Sequence, residues 1–330
     1  MALLVLLAFL LVAASVAGYG VWAMGASGPR TPVTIEIPEG ATASDVAELL
    51  ADQDVIRSSL AFRVIARIRG IGSEIQAGDY SLTTNMRVSE VIDALEQGPL
   101  EPNLLTTTIP EGFTVRQVAE RATEDLELSS DEFIVAATSG SYRVPPYLPS
   151  GAETVEGFLF PKTYEFEPGV DVDAVIERLL DQFREEVDGL PWDRARQLGV
   201  TPYEIVVIAS MIEREAGVPQ DRQKIAAVIY NRLEQGMLLQ IDATVLYILP
   251  EHREPTPTDF DIDSPYNTYL HAGLPPTPIA NPGRAAIAAA LSPADVDFLF
   301  YVLADCGGRH AFARTLEEHN RLKAQSPDCG

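Results

Sequence analysis

The chain has 330 residues, 46% hydrophobic and 22% charged, and its 24 Lys plus Arg against 48 Asp plus Glu give a formal net charge of −24. That length is enough for a substantial core and roughly two or three domains, and the balance of apolar and charged side chains excludes wholesale disorder. A surface this acidic is unsuited to nucleic acid or anionic lipid headgroups, which need a basic footprint, so no nucleic-acid partner is expected.

Residues 2–24 (ALLVLLAFLLVAASVAGYGVWAM) carry no charged side chain. As a helix they would be about 34 Å long at roughly 1.5 Å per residue, enough to cross a hydrocarbon core of about 30 Å. A secretory signal peptide competes with this reading, but its apolar part is shorter, roughly 7–15 residues, and follows a basic stretch that is absent here. Residues 1–24 are therefore read as an uncleaved single-pass anchor in the cytoplasmic membrane, with the bulk of the chain outside the cell. Arg30, just after the segment, runs against the positive-inside rule. A start placed too far downstream would explain the missing basic residues before it.

Residues 25–32 (GASGPRTP) read as a linker. Residues 33–104 then form a small α+β domain. Two passages echo each other: VTIEI meets Pro38-Glu39-Gly40, and LLTTTI meets Pro110-Glu111-Gly112. Each β-type run is followed by a proline–glycine turn and a threonine, Thr42 or Thr114, placed to cap a helix. A weaker copy follows Tyr80-Ser81-Leu82, at residues 85–91. Residues 60–70 (LAFRVIARIRG) put apolar side chains at helical spacing and stop at Gly70, as a core-facing helix would.

Residues 105–330 read as one larger, mainly helical domain, with helices over 114–124, 130–138, 172–188, 202–216, 220–235, 283–291 and 315–325. Aromatic and proline-rich connections at 156–166, 249–267 and 271–283 are the loops in which binding residues are sought. Cys306 and Cys329 are the two cysteines. They are either one bridge that ties down the tail or two free thiols.

In the helix over 202–216, Glu215 lies seven, four and three residues after Ile208, Met211 and Ile212, on the same face. A carboxyl held among apolar side chains resists ionisation, so its pKa rises and it can act as a general acid. Spacing alone leaves the plainer alternative open, a helix-end carboxylate facing solvent. Glu213 points about 200° away. Nearby, Gln240, Asp242, Thr244 and Tyr247 cluster in sequence, with Asp242 alternatively capping a helix from Ala243. Tyr266-Asn267-Thr268-Tyr269 joins flat rings to amide and hydroxyl groups, a combination suited to a sugar. The four histidines lack metal-ligand spacing, and neither a serine-nucleophile elbow nor a phosphate loop occurs. No metal and no cofactor are expected.

The strings EGFLFPKTYEF, ASMIEREAG, AAVIYNRLEQGMLLQIDATVLY, SPYNTYLHAGLPPTPIANPG and FLFYVLADCGGRHAFARTLEEHN, in this order, resemble the MltG/YceG-like endolytic murein transglycosylases. The resemblance implies a membrane anchor, a LysM-like α+β domain and a mainly helical lysozyme-like catalytic domain. It further implies cleavage of the MurNAc–GlcNAc β-1,4 bond in nascent peptidoglycan, leaving 1,6-anhydro-MurNAc ends and terminating strand elongation beside cell-wall synthesis proteins. The second glutamate of the family's Glu-Lys/Arg-Glu string corresponds to Glu215, which the stripe argument also selects. Gln240, Asp242, Tyr266, Asn267 and Thr268, with Asn231, Glu156 and Tyr164, are expected to line the glycan groove. The alternatives are a muramidase that uses water and a non-catalytic anchored scaffold that grips peptidoglycan.

Overall fold

The computed structural model describes residues 18–20, 22–25, 28–71, 75–100, 103–144, 146–149, 152–250, 253 and 255–327. Most of the apolar run at 2–24 lies outside these residues, as does Cys329. Residues 18–20 and 22–24 are helical. Among the described residues no helix is long and apolar enough to cross a membrane. The fold is mixed α+β, divided into two compact units, Met1–Pro102 and Asn103–Gly330.

In the first unit, β1 (Pro32–Ile37) pairs antiparallel with β2 (Gly78–Thr83), with Ile35 opposite Tyr80 and Val33 opposite Leu82. The period-2 alternation of VTIEI puts those side chains on one face, where three helices cover them. These are α1 (Ala43–Asp52), α2 (Ser59–Arg69) and α3 (Val88–Gln97). Helix α1 starts where the sequence says: Thr42 Oγ1 accepts the Asp45 N–H, and Asp45 Oδ2 accepts the Thr42 backbone N–H in return. Helix α2 turns Phe62 and Ala66 into the core and ends at Gly70, whose φ of 80° needs a residue without Cβ. Leu60, Val64 and Ile68 remain exposed on its other side.

The second unit begins with β3 (Leu105–Thr108), paired antiparallel with β4 (Thr163–Phe166). Between them lie α4 (Val115–Leu126) and α5 (Ser130–Ala137). Then come α6 (Val172–Val187), the single turn α7 (Arg194–Gln197), α8 (Pro202–Glu215), α9 (Arg222–Glu234), α10 (Asp242–Ile248) and α11 (Arg284–Leu291). A hairpin of β5 (Phe300–Leu303) and β6 (His310–Ala313) precedes α12 (Leu316–Lys323). Cys306, between the two strands, is disulfide-bonded.

Helix α8 is the axis of this unit. Thr201 caps it in a reciprocal box with Glu204, and Pro202 fills the first turn, where no N–H is needed. Every residue from Ile205 to Ile212 is buried. The one-sided apolar stripe expected from the sequence is thus an all-round apolar helix, which only a fully enclosed helix can be. Its one polar side chain in that stretch, Ser210, donates to the Val207 carbonyl and accepts the Ile279 N–H. Helices α4, α5, α6, α8, α9 and α11 begin and end within a few residues of their sequence-based positions. The two strands of the terminal hairpin and β4 were not expected.

Candidate active site

Glu215 is the last residue of α8, where the helix leaves the core and the chain turns extended at Ala216. Its side chain is half-buried and keeps an opening to solvent. Tyr301 Oη donates to Glu215 Oε2 at 3.0 Å, and the Ala243 backbone N–H also hydrogen-bonds the carboxyl. Burial pushes the Glu215 pKa up to about 6, with the nearby Asp242 carboxylate acting in the same direction. The Tyr301 hydroxyl, the Ala243 N–H and the Arg214 guanidinium oppose that rise without cancelling it.

Three segments bring these partners to the end of α8. The first is the terminal hairpin, which carries Tyr301 on β5. It is seated by contact between Gly217 and Gly308: an alanine methyl at Gly217 would lie 2.5 Å from the Gly308 carbonyl oxygen. Gly217 therefore lets two backbones meet. The second is α9, whose Arg232 is buried. Its Nε donates to the Leu299 carbonyl at 2.6 Å and its Nη1 to the Leu239 carbonyl at 2.6 Å, and its guanidinium lies over the Phe300 ring. One cation thus ties the start of the hairpin to the loop that leads into α10. The third is α10, whose N-terminal turn delivers the Ala243 N–H. Asp242, its first residue, does not cap it; the exposed Asp242 carboxylate accepts the Tyr269 hydroxyl.

A cleft of about 840 Å³ has Arg214 and Ala243, the neighbours of Glu215, in its wall, while Glu215 itself is not part of its lining. Tyr247 and Tyr266 supply rings whose centroids are 5.0 Å apart, and Arg116, Glu156 and Ser264 complete much of the lining. Glu156 is buried. Both its oxygens accept the Val115 N–H at the start of α4, and Oε2 also accepts the Tyr247 hydroxyl at 3.2 Å. Burial outweighs these bonds and pushes its pKa up to about 8, so Glu156 is neutral at neutral pH. Among the described residues no group of three His, Cys, Asp or Glu side chains is placed to hold a metal ion.

The YceG-like family model matches residues 35–325. This chain belongs to the YceG-like family. A family relative in Bacillus subtilis, an endolytic murein transglycosylase, is 34% identical over 308 residues, covering 89% of this chain and 84% of the relative. An endolytic murein transglycosylase of Streptococcus pneumoniae is 30% identical over 321 residues, 89% of this chain and 58% of that longer protein. The crystal structure of a yceG-like protein from Listeria monocytogenes aligns with a TM-score of 0.59 at 31% identity, over 88% of this chain and 98% of the other.

Within this family member, the structure sorts the residues expected in the groove. Glu215 ends α8 with Asp242 near enough to act on its charge, Gln240 is exposed with its backbone N–H on the Thr268 carbonyl, and Tyr266 and Glu156 line the cleft. Asn267 and Thr268 do not face it: both are essentially unexposed. Asn267 Nδ2 donates to the Phe260 and Ile262 carbonyls, and its Oδ1 accepts the Tyr269 N–H. Thr268 Oγ1 accepts the Ile241 N–H and shares a bond with Thr244 Oγ1. These two residues shape the turn that presents Tyr266 and Tyr269, because polar side chains with every bond made internally cannot also bind a sugar. Asn231 likewise spends its amide on the Val296 and Phe298 carbonyls, docking the segment before β5. Tyr164 is a core residue on β4 whose hydroxyl donates to the Phe160 carbonyl at 2.6 Å.

Tyr301 and Asn281 were missed. Asn281 is fully buried, accepts the Gly157 and Leu159 N–H groups and donates to the Phe113 carbonyl, so it fixes the segment carrying Glu156. A signal for Tyr301 existed: two β-type runs, FLFYVL and HAFA, flank Asp-Cys-Gly-Gly, a hairpin pattern.

Proposed function

We propose that this YceG-like protein is an endolytic murein transglycosylase that cuts the MurNAc–GlcNAc β-1,4 bond of peptidoglycan strands. The observation that carries this reading is the half-buried Glu215 carboxyl, held by Tyr301 and the Ala243 N–H with its pKa near 6, whose neighbours Arg214 and Ala243 line a saccharide-sized cleft. At pH 7 about one molecule in ten holds the proton on Glu215, enough to supply an acid for each turnover while leaving a competent base behind.

Protonated Glu215 gives its proton to the glycosidic oxygen as the bond to the muramyl anomeric carbon breaks and the GlcNAc hydroxyl departs. The muramyl 6-hydroxyl then attacks that carbon, and its proton passes to the Glu215 carboxylate. The acid is regenerated, a 1,6-anhydro ring closes, and no water is consumed. Tyr301 and the Ala243 N–H stabilise the carboxylate between the two transfers. A single carboxyl suffices, unlike the paired carboxyls of ordinary glycosidases.

Asp242 is close enough to Glu215 to raise its pKa, and this favours one second reading, a water-using muramidase with Asp242 as the other carboxylate. Mass spectrometry of the released glycan separates the two, since anhydro ends are one water lighter. Glu215→Gln should abolish cleavage while leaving glycan binding largely intact; a variant that still cuts strands would remove Glu215 from the role.

The β-α-α-β order that opens the first unit, ahead of α3, supports a LysM-like part that grips glycan. The uncharged run at residues 2–24 supports an anchor in the cytoplasmic membrane, with the catalytic unit outside the cell beside cell-wall synthesis proteins.

A further inference from the structure

In a chain with twice as many acids as bases, three arginines, Arg116, Arg214 and Arg253, line the cleft. Arg253 is matched by a bidentate pair with Asp259. Arg214 donates to the Gly112 carbonyl at 3.4 Å and pairs with no carboxylate among the described residues. Arg116, exposed in the first turn of α4, has neither an ion pair nor a hydrogen bond there. Glu156, the acid in the same lining, is uncharged at neutral pH because of its burial. The cleft wall therefore holds Arg116 with no carboxylate partner among the described residues, and Arg214 with no close ion pair, its charge felt by the adjacent Glu215, against an overall charge of −24. Guanidinium is the side chain best shaped to clasp a carboxylate through paired hydrogen bonds.

We infer that the cleft is a subsite for the carboxylates that murein strands carry at their lactyl groups, bound by Arg116 and Arg214. The inference rests on the transglycosylase reading and extends it from the glycan chain to its substituents. A carboxylate anchored there would register the muramyl unit at Glu215, so that the sugar bearing the substituent supplies the attacking 6-hydroxyl. Such a carboxylate has two sources, the end groups of attached stem peptides or the lactyl acid itself where the peptide has been removed.

The test uses the full chain and three strands: murein with its peptides intact, murein stripped by an amidase so that the lactyl acid is free, and the stripped strand with that acid converted to its methylamide. Release of anhydro ends by wild type, Arg116→Gln and Arg116→Lys gives kcat/KM for each. Wild type should favour one carboxylate-bearing strand over the methylamide by roughly tenfold, about 1.4 kcal/mol. Preference for the intact strand identifies peptide carboxylates, and preference for the stripped strand identifies the lactyl acid. Arg116→Gln should bring the ratio towards one, and Arg116→Lys should restore part of it. Equal rates on all three strands, or a wild-type ratio retained by Arg116→Gln, would overturn the inference. If wild type cut none of them, the transglycosylase reading would fail instead. The same ratios measured as binding by Glu215→Gln would then decide the arginine subsite separately.

Discussion

Tyr301→Phe is the sharpest probe of the candidate site, because it removes one hydroxyl and leaves the ring that fills the space. That hydroxyl donates to Glu215 Oε2 at 3.0 Å and favours the carboxylate form. A hydrogen bond to a charged group contributes about 1.5–3 kcal/mol, and each pKa unit corresponds to about 1.4 kcal/mol. Full loss would raise the Glu215 pKa by roughly one to two units. Because Glu215 keeps an opening to solvent, through which water can replace part of the bond, the lower end applies, and the value moves from about 6 to about 7. The protonated form starts the reaction, so the alkaline limb of kcat/KM for anhydro-end release should shift about one unit towards higher pH. The rate at the optimum should fall by roughly ten- to a hundredfold, since the carboxyl also loses its orientation. An alkaline limb that stays in place, or moves to lower pH, would refute the assignment of Tyr301 as the residue that positions and tunes the acid.

Asp242→Asn should move the same limb the opposite way, because its carboxylate raises the Glu215 pKa; parallel pH profiles for Asp242→Asn and Tyr301→Phe would contradict the electrostatics. Gly217→Ala forces a methyl to 2.5 Å from the Gly308 carbonyl oxygen. The hairpin should be pushed off the end of α8, with lower activity and a loss of about 1–3 kcal/mol of stability, measured by urea unfolding. Asn267→Ala leaves the Phe260 and Ile262 carbonyls unpaired and should cost about 2–4 kcal/mol, lowering Tm by about 5–15 °C in calorimetry. Glu156 holds its proton more tightly when folded, about 8 against an ordinary 4.5, so the stability it confers is full below about pH 4.5 and is lost as pH rises through about 8. Urea midpoints taken from pH 4 to 9 should fall less steeply for Glu156→Gln than for wild type.

The sequence by itself determined the elements whose signals are local. Thr42, Thr114 and Thr201 cap their helices because a hydroxyl followed three residues later by an acid or amide satisfies the first free N–H groups without any distant partner. Glu215 was legible for a similar reason: its place relative to Ile208, Met211 and Ile212 is fixed by helix geometry. What surrounds it was not. Tyr301 lies 86 residues further on and reaches the acid only because Gly217 and Gly308 allow two backbones to touch and Arg232 ties Leu299 to Leu239. Asn267, Thr268 and Asn231 look like sugar ligands in sequence, since amides and hydroxyls are the same groups whether they bind substrate or backbone. The fold consumed their hydrogen bonds internally, and that choice depends on which carbonyls are left unpaired nearby once the loops have packed. Residue type and period set where the acid stands; burial and the competition for hydrogen-bond partners, both tertiary properties, set its pKa and decided which polar neighbours face the cleft.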